Sequence, residues 1–315
     1  MTTAPGRDSW SAIPSPPTDR VVAVVEFLAS RPAEPATVAE LVRQLGLNRA
    51  TCHAVLAALV RAGWVARDPA ERTFMPGPAL IAVGRAAESG VPAARTADSE
   101  LALLAGDLGL PATISHPSGD HIVIGSHSPA ATNRGGNGVR VGQRFPFAPP
   151  FGPGLVAWSG SAEIDRWLSR APRMDPGAAP RFRDVLATVR RRGYTVERST
   201  PASRRLRDLL AELDSLTVRQ RPTLTGLLHE IGAIEYLDDD LEAGRTYPVS
   251  VMTAPAFAGD RVAVLSISVH VWDDLEPARI QALGDRLLAA SRAITRDIHG
   301  TAPDDFPQGS PWGIG

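Results

Sequence analysis

Residues 37–63 contain two helix patterns separated by a glycine, and this arrangement constrains the fold more than any other feature of the chain. Thr37 and Glu40 have the spacing of a capping box, in which the two side chains satisfy free amides at the start of a helix. Apolar residues then recur at the spacing of one helix face: Val38, Leu41, Val42 and Leu45. We therefore predict a short helix that is capped by Thr37 and buried on one side.

The segment after this helix predicts a sharp corner and a second helix. Gly46 stands where a helix end requires a left-handed residue, and Asn48 can cap the helix that follows. That helix ends at Gly63 and has its apolar positions at Cys52, Val55, Leu56 and Leu59. Two short helices joined at a glycine corner form a helix-turn-helix, whose second helix can enter the major groove of DNA.

A third helix is predicted before this pair. Asp19 is placed to cap it. Its β-branched residues favour a strand, but their helical period is the stronger signal, at Val21, Val24, Val25 and Leu28. Three helices therefore precede Gly63.

After Gly63, residues 64–67 and 73–75 flank a turn at 68–72, which predicts a β-hairpin with a five-residue loop. Three helices followed by such a hairpin make a winged helix-turn-helix. The hairpin could place Arg67 or Arg72 on the phosphates beside the groove.

The same residues carry a resemblance to a known family. Residues 45–56 (LGLNRATCHAVL) and 59–65 (LVRAGWV) resemble the DNA-binding half of IclR-type bacterial transcription regulators. Residues 74–84 (FMPGPALIAVG) resemble that family's passage from wing to linker. The likeness covers the first quarter of the chain well and the remainder more loosely. It implies double-stranded operator DNA and a small organic effector as partners, and assembly into a homodimer or homotetramer.

Acidic and basic side chains are nearly equal in number, so a net positive charge of the whole chain cannot drive DNA binding. The 315 residues include 34 acidic side chains against 33 lysine and arginine side chains, all of which are arginine. Residues 19–72 hold seven arginines and six acidic residues, a net charge of only +1. DNA affinity would therefore depend on the placement of a few arginines and on dimerisation.

Cysteine content and hydropathy bear on the compartment. The single cysteine, Cys52, excludes an internal disulfide and fits a reducing cytoplasm, and its place on an apolar helix face indicates a packed thiol. Residues 1–17 lack a signal-peptide pattern and are rich in proline, serine and threonine, which predicts a flexible arm. No apolar run is long enough to cross a membrane. We expect a cytoplasmic protein with no membrane partner.

The period of the apolar residues changes from helical to alternating after Pro111, which indicates a second domain built on a sheet. The predicted strands are 112–116, 121–126, 139–147, 194–199, 248–257 and 261–270. The predicted helices are 78–87, one around 101–108, 154–171, 181–192, 203–218, 223–236 and one from about 275.

The predicted fold class is α+β: an N-terminal winged helix-turn-helix joined by a linker helix to a GAF-like or profilin-like α+β sensor domain. The expected boundaries are a flexible arm at 1–17, the DNA-binding domain at 18–76 and the linker helix at 77–97. The effector domain follows at 98–300, with a helical insertion near 200–247, and a tail at 301–315 ends the chain. The linker helix could pair two subunits or pack on its own domain.

The resemblance also reaches the second domain. Residues 143–158 resemble the strand-to-helix passage that borders the effector pocket of IclR-type proteins, and 251–255 with 264–268 resemble the two closing strands. Val251 stands where many members have a cysteine facing the ligand, and Ala54 where an arginine is common on the recognition helix. The long segment between Tyr194 and Val251 is a further departure.

The candidate DNA contacts lie on the second helix and around it. Arg49 and Thr51, near the amino end of that helix, are the candidate groove contacts, and arginine can fork onto a guanine edge. His53 could reach a base or a phosphate. For each of the three, a solvated surface side chain is the alternative. Thr37 stands at first-turn amides that suit a phosphate, although capping alone explains it equally. The full candidate set is Thr37, Asn48, Arg49, Thr51, His53, Arg67 and Arg72.

The candidate effector contacts lie on the last two strands and beside them. Ser266 and Ser268 alternate along one strand, so their hydroxyls could hold a carboxylate or hydroxyl, or make ordinary strand hydrogen bonds. Phe147, Phe151 and Val251 could line the pocket with apolar side chains, although core packing is their alternative. Asp240 could place one acid at the pocket mouth, although a solvated loop is the alternative there. These residues together suggest a small acidic or aromatic ligand.

Enzymatic interpretations find less support. There is no nucleophile elbow, phosphate-binding loop or cysteine–histidine pair. No carboxylate or cysteine stands at metal-ligand spacing from His116, His121 and His127. We expect a ligand-responsive DNA-binding regulator that is not an enzyme and has no cofactor or metal. The alternatives are a DNA-binding oligomeric scaffold whose second domain binds a protein or no ligand and, more distantly, a catalytic second domain.

Overall fold

The computed structural model describes residues 15–29, 34–90, 92–130, 139–171, 178–201, 203–205, 207 and 235–307. The chain forms two compact units, Met1–Val91 and Pro92–Gly315. Each unit has its own sheet and its own buried apolar core.

The first unit is a helical head with a small antiparallel sheet in the order β1-β3-β2. Its elements are α1 (Pro16–Ala29), β1 (Ala36–Thr37), α2 (Val38–Leu45), α3 (Arg49–Arg61), β2 (Val65–Asp68), β3 (Thr73–Pro76) and α4 (Ala79–Gly90). Its buried apolar residues are largely those that the helical spacing predicts: Val24, Phe27, Leu28, Leu41, Cys52, Val55, Leu56, Leu59, Val65 and Phe74. The prediction of a winged helix-turn-helix is confirmed.

The start of α1 corrects the sequence prediction. The helix begins at Pro16, so Asp19 lies in its first turn and is not its cap. Proline suits this position because its fixed φ matches the helix and its missing N–H is not needed there. The end of the arm expected at 1–17 is therefore helical, and residues 1–14 lie outside the described residues.

The wing also differs by one residue from its prediction. Asp68 belongs to β2, so the loop spans four residues, 69–72, and not five. The Asp68 carboxylate accepts hydrogen bonds from the amides of Ala70 (2.8 Å) and Glu71 (3.1 Å). The side chain thus supports the turn from within, as aspartate commonly does.

The linker expected at 77–97 is two helices, of which the first corresponds to the helix predicted at 78–87. α4 ends at Gly90, and α5 (Pro92–Leu108) begins with a proline, which starts a helix readily but does not continue one. α4 leaves two large apolar side chains in solvent, since Ile81 is 61% exposed and Val83 is 45% exposed.

The second unit is an antiparallel seven-stranded sheet with helices. Its elements after α5 are β4 (Ala112–Ser118), β5 (His121–Ser128), β6 (Arg144–Pro146), α6 (Pro153–Val156), α7 (Ser161–Ser169), α8 (Ala178–Arg192), β7 (Thr195–Arg198), β8 (Glu235–Tyr236), β9 (Tyr247–Phe257), β10 (Ala263–Leu275) and α9 (Pro277–Asp297). The strand order is β6-β5-β4-β10-β9-β7-β8. The α+β fold class is confirmed.

The two faces of this sheet differ in polarity. One face packs against α5 and α9 through buried apolar residues that include Ile114, Met252, Ala254, Ile267 and Val269. The residues that alternate with these are mostly polar, because neighbouring positions of a strand point to opposite faces. The short helix α6 lies on this second side, since a Cβ at Gly154 would be 3.9 Å from Cγ2 of Thr195.

Three predictions in this unit are corrected. The strand expected at 139–147 is only β6, because Gly142 takes a left-handed conformation inside a turn. The helix expected at 154–171 is two helices, with Gly160 at the amino end of α7. The expected tail at 301–315 is docked where it is described, since the Phe306 ring packs against Trp158 and Phe257.

One further prediction falls largely outside the described residues. This is the helical insertion near 200–247, of which 208–234 are not described. At the far end of the insertion, Tyr236 lies in a strand and not in the predicted helix, because β8 pairs with β7. Among the described residues, no helix is long and apolar enough to cross a membrane.

Two glycine-to-alanine substitutions should have opposite effects on stability. A Cβ at Gly284 of α9 would lie 2.2 Å from Cζ of the fully buried Tyr194 ring, so Gly284→Ala should destabilise the protein by about 1–3 kcal/mol through overpacking. Gly106 of α5 has open space around it, so Gly106→Ala should stabilise the protein by about 0.5–1 kcal/mol. Thermal unfolding of both variants checks this, and an equal or greater stability of Gly284→Ala would contradict it.

Candidate nucleic-acid interface and candidate effector face

The orientation of α3 depends on capping at its own start and at the start of α2. The Thr37 hydroxyl accepts from the Glu40 amide (3.2 Å), and the Glu40 carboxylate accepts from the Thr37 amide (2.9 Å), as the capping-box spacing predicts. Gly46 ends α2 with φ of 63°. The Asn48 side chain then accepts from the Thr51 amide at 2.7 Å. The corner is thus held by local hydrogen bonds, with α3 buried on one side and exposed on the other.

The exposed side of α3 faces an open hollow of about 930 Å³, bounded also by the start of α2 and by the wing. Five of its lining side chains are basic, with one acid among them: Arg49, His53, Arg61, Arg67, Arg72 and Glu71. The smaller and apolar lining residues are Thr37, Val38, Ala39, Leu56, Ala57, Val60 and Phe74. A concave surface with four arginines suits a polyanion that enters between helix and wing.

The wing holds two of these arginines in different ways. The Arg67 guanidinium lies over the Phe74 ring, 6.0 Å from its centroid, an arrangement that orients the side chain by a cation–π contact. Arg72 has a positive φ of 55° at the end of the wing loop, which is uncommon for a residue with a side chain. The tip of the wing therefore presents a basic side chain from a strained turn.

The hollow gathers most of the candidate DNA contacts. Five of the seven line it: Thr37, Arg49, His53, Arg67 and Arg72. Asn48 and Thr51 do not line it; Asn48 is occupied as the cap of α3, and Thr51 is half-buried. The hydroxyl of Thr37 also donates to the Glu40 carboxylate, at 3.1 Å. Arg61 and Glu71 join the lining without having been candidate contacts, although Arg61 follows Arg49 and His53 on one helical face.

In the second unit, a ladder of paired polar side chains runs across β4, β10 and β9. Ser115 Oγ lies 2.9 Å from Ser266 Oγ, and Thr253 Oγ1 lies 2.8 Å from Ser268 Oγ. A third pair joins Thr113 Oγ1 to His270 Nε2 at 3.0 Å. The cross-strand register places all six on the sheet face opposite α5 and α9. We call these three pairs the polar ladder.

The candidate effector residues are only partly gathered at this ladder. Ser266 and Ser268 are members of it, and Val251 is the cross-strand partner of His270 on the same face. Phe147 and Phe151 lie near the β5–β6 edge, where Phe151 packs on Phe145, itself the cross-strand partner of Ile122.

Asp240 is exposed, whereas its neighbour Asp239 is held by Arg191 and by the buried Arg192. Sequence reasoning did not identify Thr113, Thr253 or His270 as part of the ladder. Their signal is the strand register, which the sequence leaves open.

His270 is the most unusual group of the ladder. Its side chain is 7% exposed, and its Nδ1 atom is buried without a hydrogen-bond partner among the described residues. Burial, with a smaller effect from nearby His127, lowers the pKa of His270 to about 4. The imidazole is therefore neutral at neutral pH. Among the described residues, no cluster of three or more potential ligands is suited to a metal ion.

The comparisons with known proteins agree with this geometry. Residues 17–69 match the family model of the IclR helix-turn-helix domain. No curated protein matches the chain.

Solved structures with a similar fold include an IclR transcriptional regulator from Alicyclobacillus acidocaldarius, with 19% identity, 91% of this chain and 100% of that chain covered, and a TM-score of 0.65. Pseudomonas aeruginosa HmgR has 18% identity, coverage of 90% and 97%, and a TM-score of 0.61. An IclR homolog from Microbacterium hydrocarbonoxydans, complexed with 4-hydroxybenzoate, has 19% identity, coverage of 90% and 99%, and a TM-score of 0.58. At these identities the likeness establishes the fold alone.

Removing an arginine from the hollow should weaken DNA binding more than removing one elsewhere on the head. Arg49→Ala should cost on the order of 1–3 kcal/mol of specific binding, since it removes a candidate fork to a base edge. Arg43→Ala is the matched control, because Arg43 is exposed on α2 but does not line the hollow. Fluorescence anisotropy on operator DNA measures both, and equal affinities of the two variants would remove Arg49 from the interface.

The buried imidazole of His270 should make stability depend on pH in the acid range. Because the folded pKa is about 4 and the ordinary value is 6.5, the unfolded chain binds this proton more readily. The stability associated with a neutral His270 should be complete above pH 6.5 and should decrease as the pH falls through 4. Thermal unfolding between pH 7.5 and about 4 should therefore show a smaller loss in His270→Gln than in wild type. Parallel profiles would refute this.

Proposed function

We propose that this chain, which carries an IclR-family helix-turn-helix domain at 17–69 and the fold of IclR-type transcription regulators, binds operator DNA and responds to a small organic effector. The observation that carries the DNA-binding part is the arginine-lined hollow between α3 and the wing. In this proposal the protein acts by binding and not by catalysis.

The side chains around the hollow suit different parts of a DNA duplex. Arg49, near the amino end of α3, is placed for base edges in the major groove, with Thr51 and His53 beside it. Arg67 and Arg72 of the wing suit phosphates, which position the head without reading sequence. Thr37 and Asn48 act mainly by capping, so that the start of α2 and the start of α3 present backbone amides near the DNA.

A single head has too little charge for strong binding, which supports a dimer. The net charge of residues 19–72 is only +1, so two heads on one DNA would supply contacts that one cannot. The exposed apolar residues Ile81 and Val83 of α4 give two copies an apolar surface to share. Two recognition helices would then read half-sites about one DNA turn, or 34–36 Å, apart.

The polar ladder supports the effector part of the proposal. A buried sheet face with several hydroxyls offers hydrogen bonds to a small organic ligand. Aromatic residues near the β5–β6 edge could contact the apolar part of that ligand. The fold relative complexed with 4-hydroxybenzoate makes an acidic or aromatic ligand a reasonable class to test. Such a ligand would change operator affinity by binding one arrangement of the protein better than another.

Genomic footprinting of the purified protein, followed by anisotropy with and without ligands, tests this function. We expect protected sites that are roughly palindromic, and a change of operator affinity of about fivefold or more with at least one small aromatic or acidic compound. Absence of protected DNA would refute the regulator. Protected DNA whose affinity no small molecule alters would favour an oligomeric DNA-binding scaffold whose second domain binds a protein or nothing.

A further inference from the structure

The hydrogen-bond inventory of the polar ladder shows unused capacity. Each hydroxyl can donate once and accept twice, so a pair of hydroxyls uses one hydrogen and leaves another available. This holds for Ser115 with Ser266 and for Thr253 with Ser268. Buried polar groups are normally satisfied by protein, water or ligand. The face can therefore offer hydrogen bonds to a polar ligand or to water.

The Thr113–His270 pair identifies one atom to which a bound ligand would hydrogen-bond. Nε2 of His270 is engaged by Thr113, whereas Nδ1 is buried and without a partner among the described residues. Whichever tautomer is present, the ring and the threonine hydroxyl together retain one donor and at least one acceptor. A ligand group that can both donate and accept a hydrogen bond, such as a primary amide or a hydroxyl, matches this pair in either tautomer.

The charges on this face disfavour an anion. The ladder itself, together with Val251 and Thr195, carries no formal charge when His270 is neutral. The titratable groups on the neighbouring strands include His127 of β5 and, towards the far edge, Glu197, Arg198 and Tyr236 of β7 and β8. Arg198 stands opposite Val249 and is already paired with Glu235 at 3.1 Å. No arginine occupies a ladder position on β4, β9 or β10. At the β5–β6 edge, Arg170 lies over the Phe147 ring and is paired with Asp120 at 3.1 Å. A buried carboxylate would therefore meet an unfavourable desolvation cost, because the nearest arginines are already paired with carboxylates.

We propose that the effector site takes an uncharged aromatic ligand whose amide or hydroxyl group hydrogen-bonds to Nδ1 of His270. This inference rests on the proposed effector function and narrows its ligand class. His270 selects the ligand, and Thr113 holds the imidazole in place. The aromatic part of the ligand lies against the apolar residues of the β5–β6 edge.

Calorimetry on the full-length protein with matched pairs of probes tests the charge of the ligand. The pairs are benzamide with benzoate and phenylacetamide with phenylacetate, at pH about 7.5, where both acids are ionised. We expect at least one amide to bind about tenfold more tightly than its acid, because the amide needs no buried counter-ion. Tighter binding of the acids would overturn the inference of an uncharged ligand.

Two variants of His270 test the contact itself. An asparagine places its amide near the position of Nδ1, whereas a glutamine places its amide near the position of Nε2. His270→Asn should therefore keep amide binding, and His270→Gln should lose about tenfold while keeping the bond to Thr113. Thermal unfolding of both variants and operator affinity without ligand show that the chain remains folded.

The possible outcomes separate this inference from the function on which it rests. If wild type binds an amide and His270→Gln binds it equally well, the His270 contact is wrong while the effector function stands. If wild type binds none of the four probes while another small compound changes its operator affinity, this inference is overturned and the effector function stands. If no small compound changes operator affinity, the effector proposal itself fails. If His270→Asn and wild type bind alike and His270→Gln does not, the contact is established.

Discussion

The antiparallel pairing of β9 with β10 is the constraint on which the second unit depends. The two strands pair from Tyr247 to Phe257 and from Ala263 to Leu275, and their neighbours β7 and β4 extend the sheet on either side. A slip of one residue in this register would move every apolar side chain to the wrong face. The same register that buries Ile267 and Val269 against α9 therefore places Ser266, Ser268 and His270 on the opposite side.

This alternation gives the sheet two roles at once. The apolar side supplies most of the hydrophobic core with α5 and α9, and hydrophobic burial is the main stabilising contribution of such a layer. The polar side gains little from burial, because its hydroxyls exchange hydrogen bonds with water for bonds with one another. In the effector function that we propose, this buried polar layer would contribute more to recognition of the ligand than to stability.

In the head, a different principle positions the site. The faces of α2 and α3 are set by local caps, with Thr37, Gly46 and Asn48 each satisfying or turning the backbone. These short-range hydrogen bonds fix the direction of α3. Its exposed side then faces the hollow beside the wing. Four arginines then meet around one hollow although the segment as a whole is nearly neutral. The distribution of charge, and not its sum, makes this surface suitable for a polyanion.

The sequence alone determined the features that depend on neighbouring residues. The capping box, the left-handed Gly46, the Asn48 cap and the apolar faces of the helices follow from spacing along the chain, because their interactions reach only three or four residues. Neighbouring residues also explain two small errors of prediction. α1 begins at Pro16, before the position that Asp19 indicated, and the turn at Gly142 leaves β6 shorter than predicted. Only the tertiary structure decided which distant residues meet. Thr113 and His270 are 157 positions apart, and Phe306 reaches Trp158 and Phe257 from the end of the described chain, because strand register and packing bring them together.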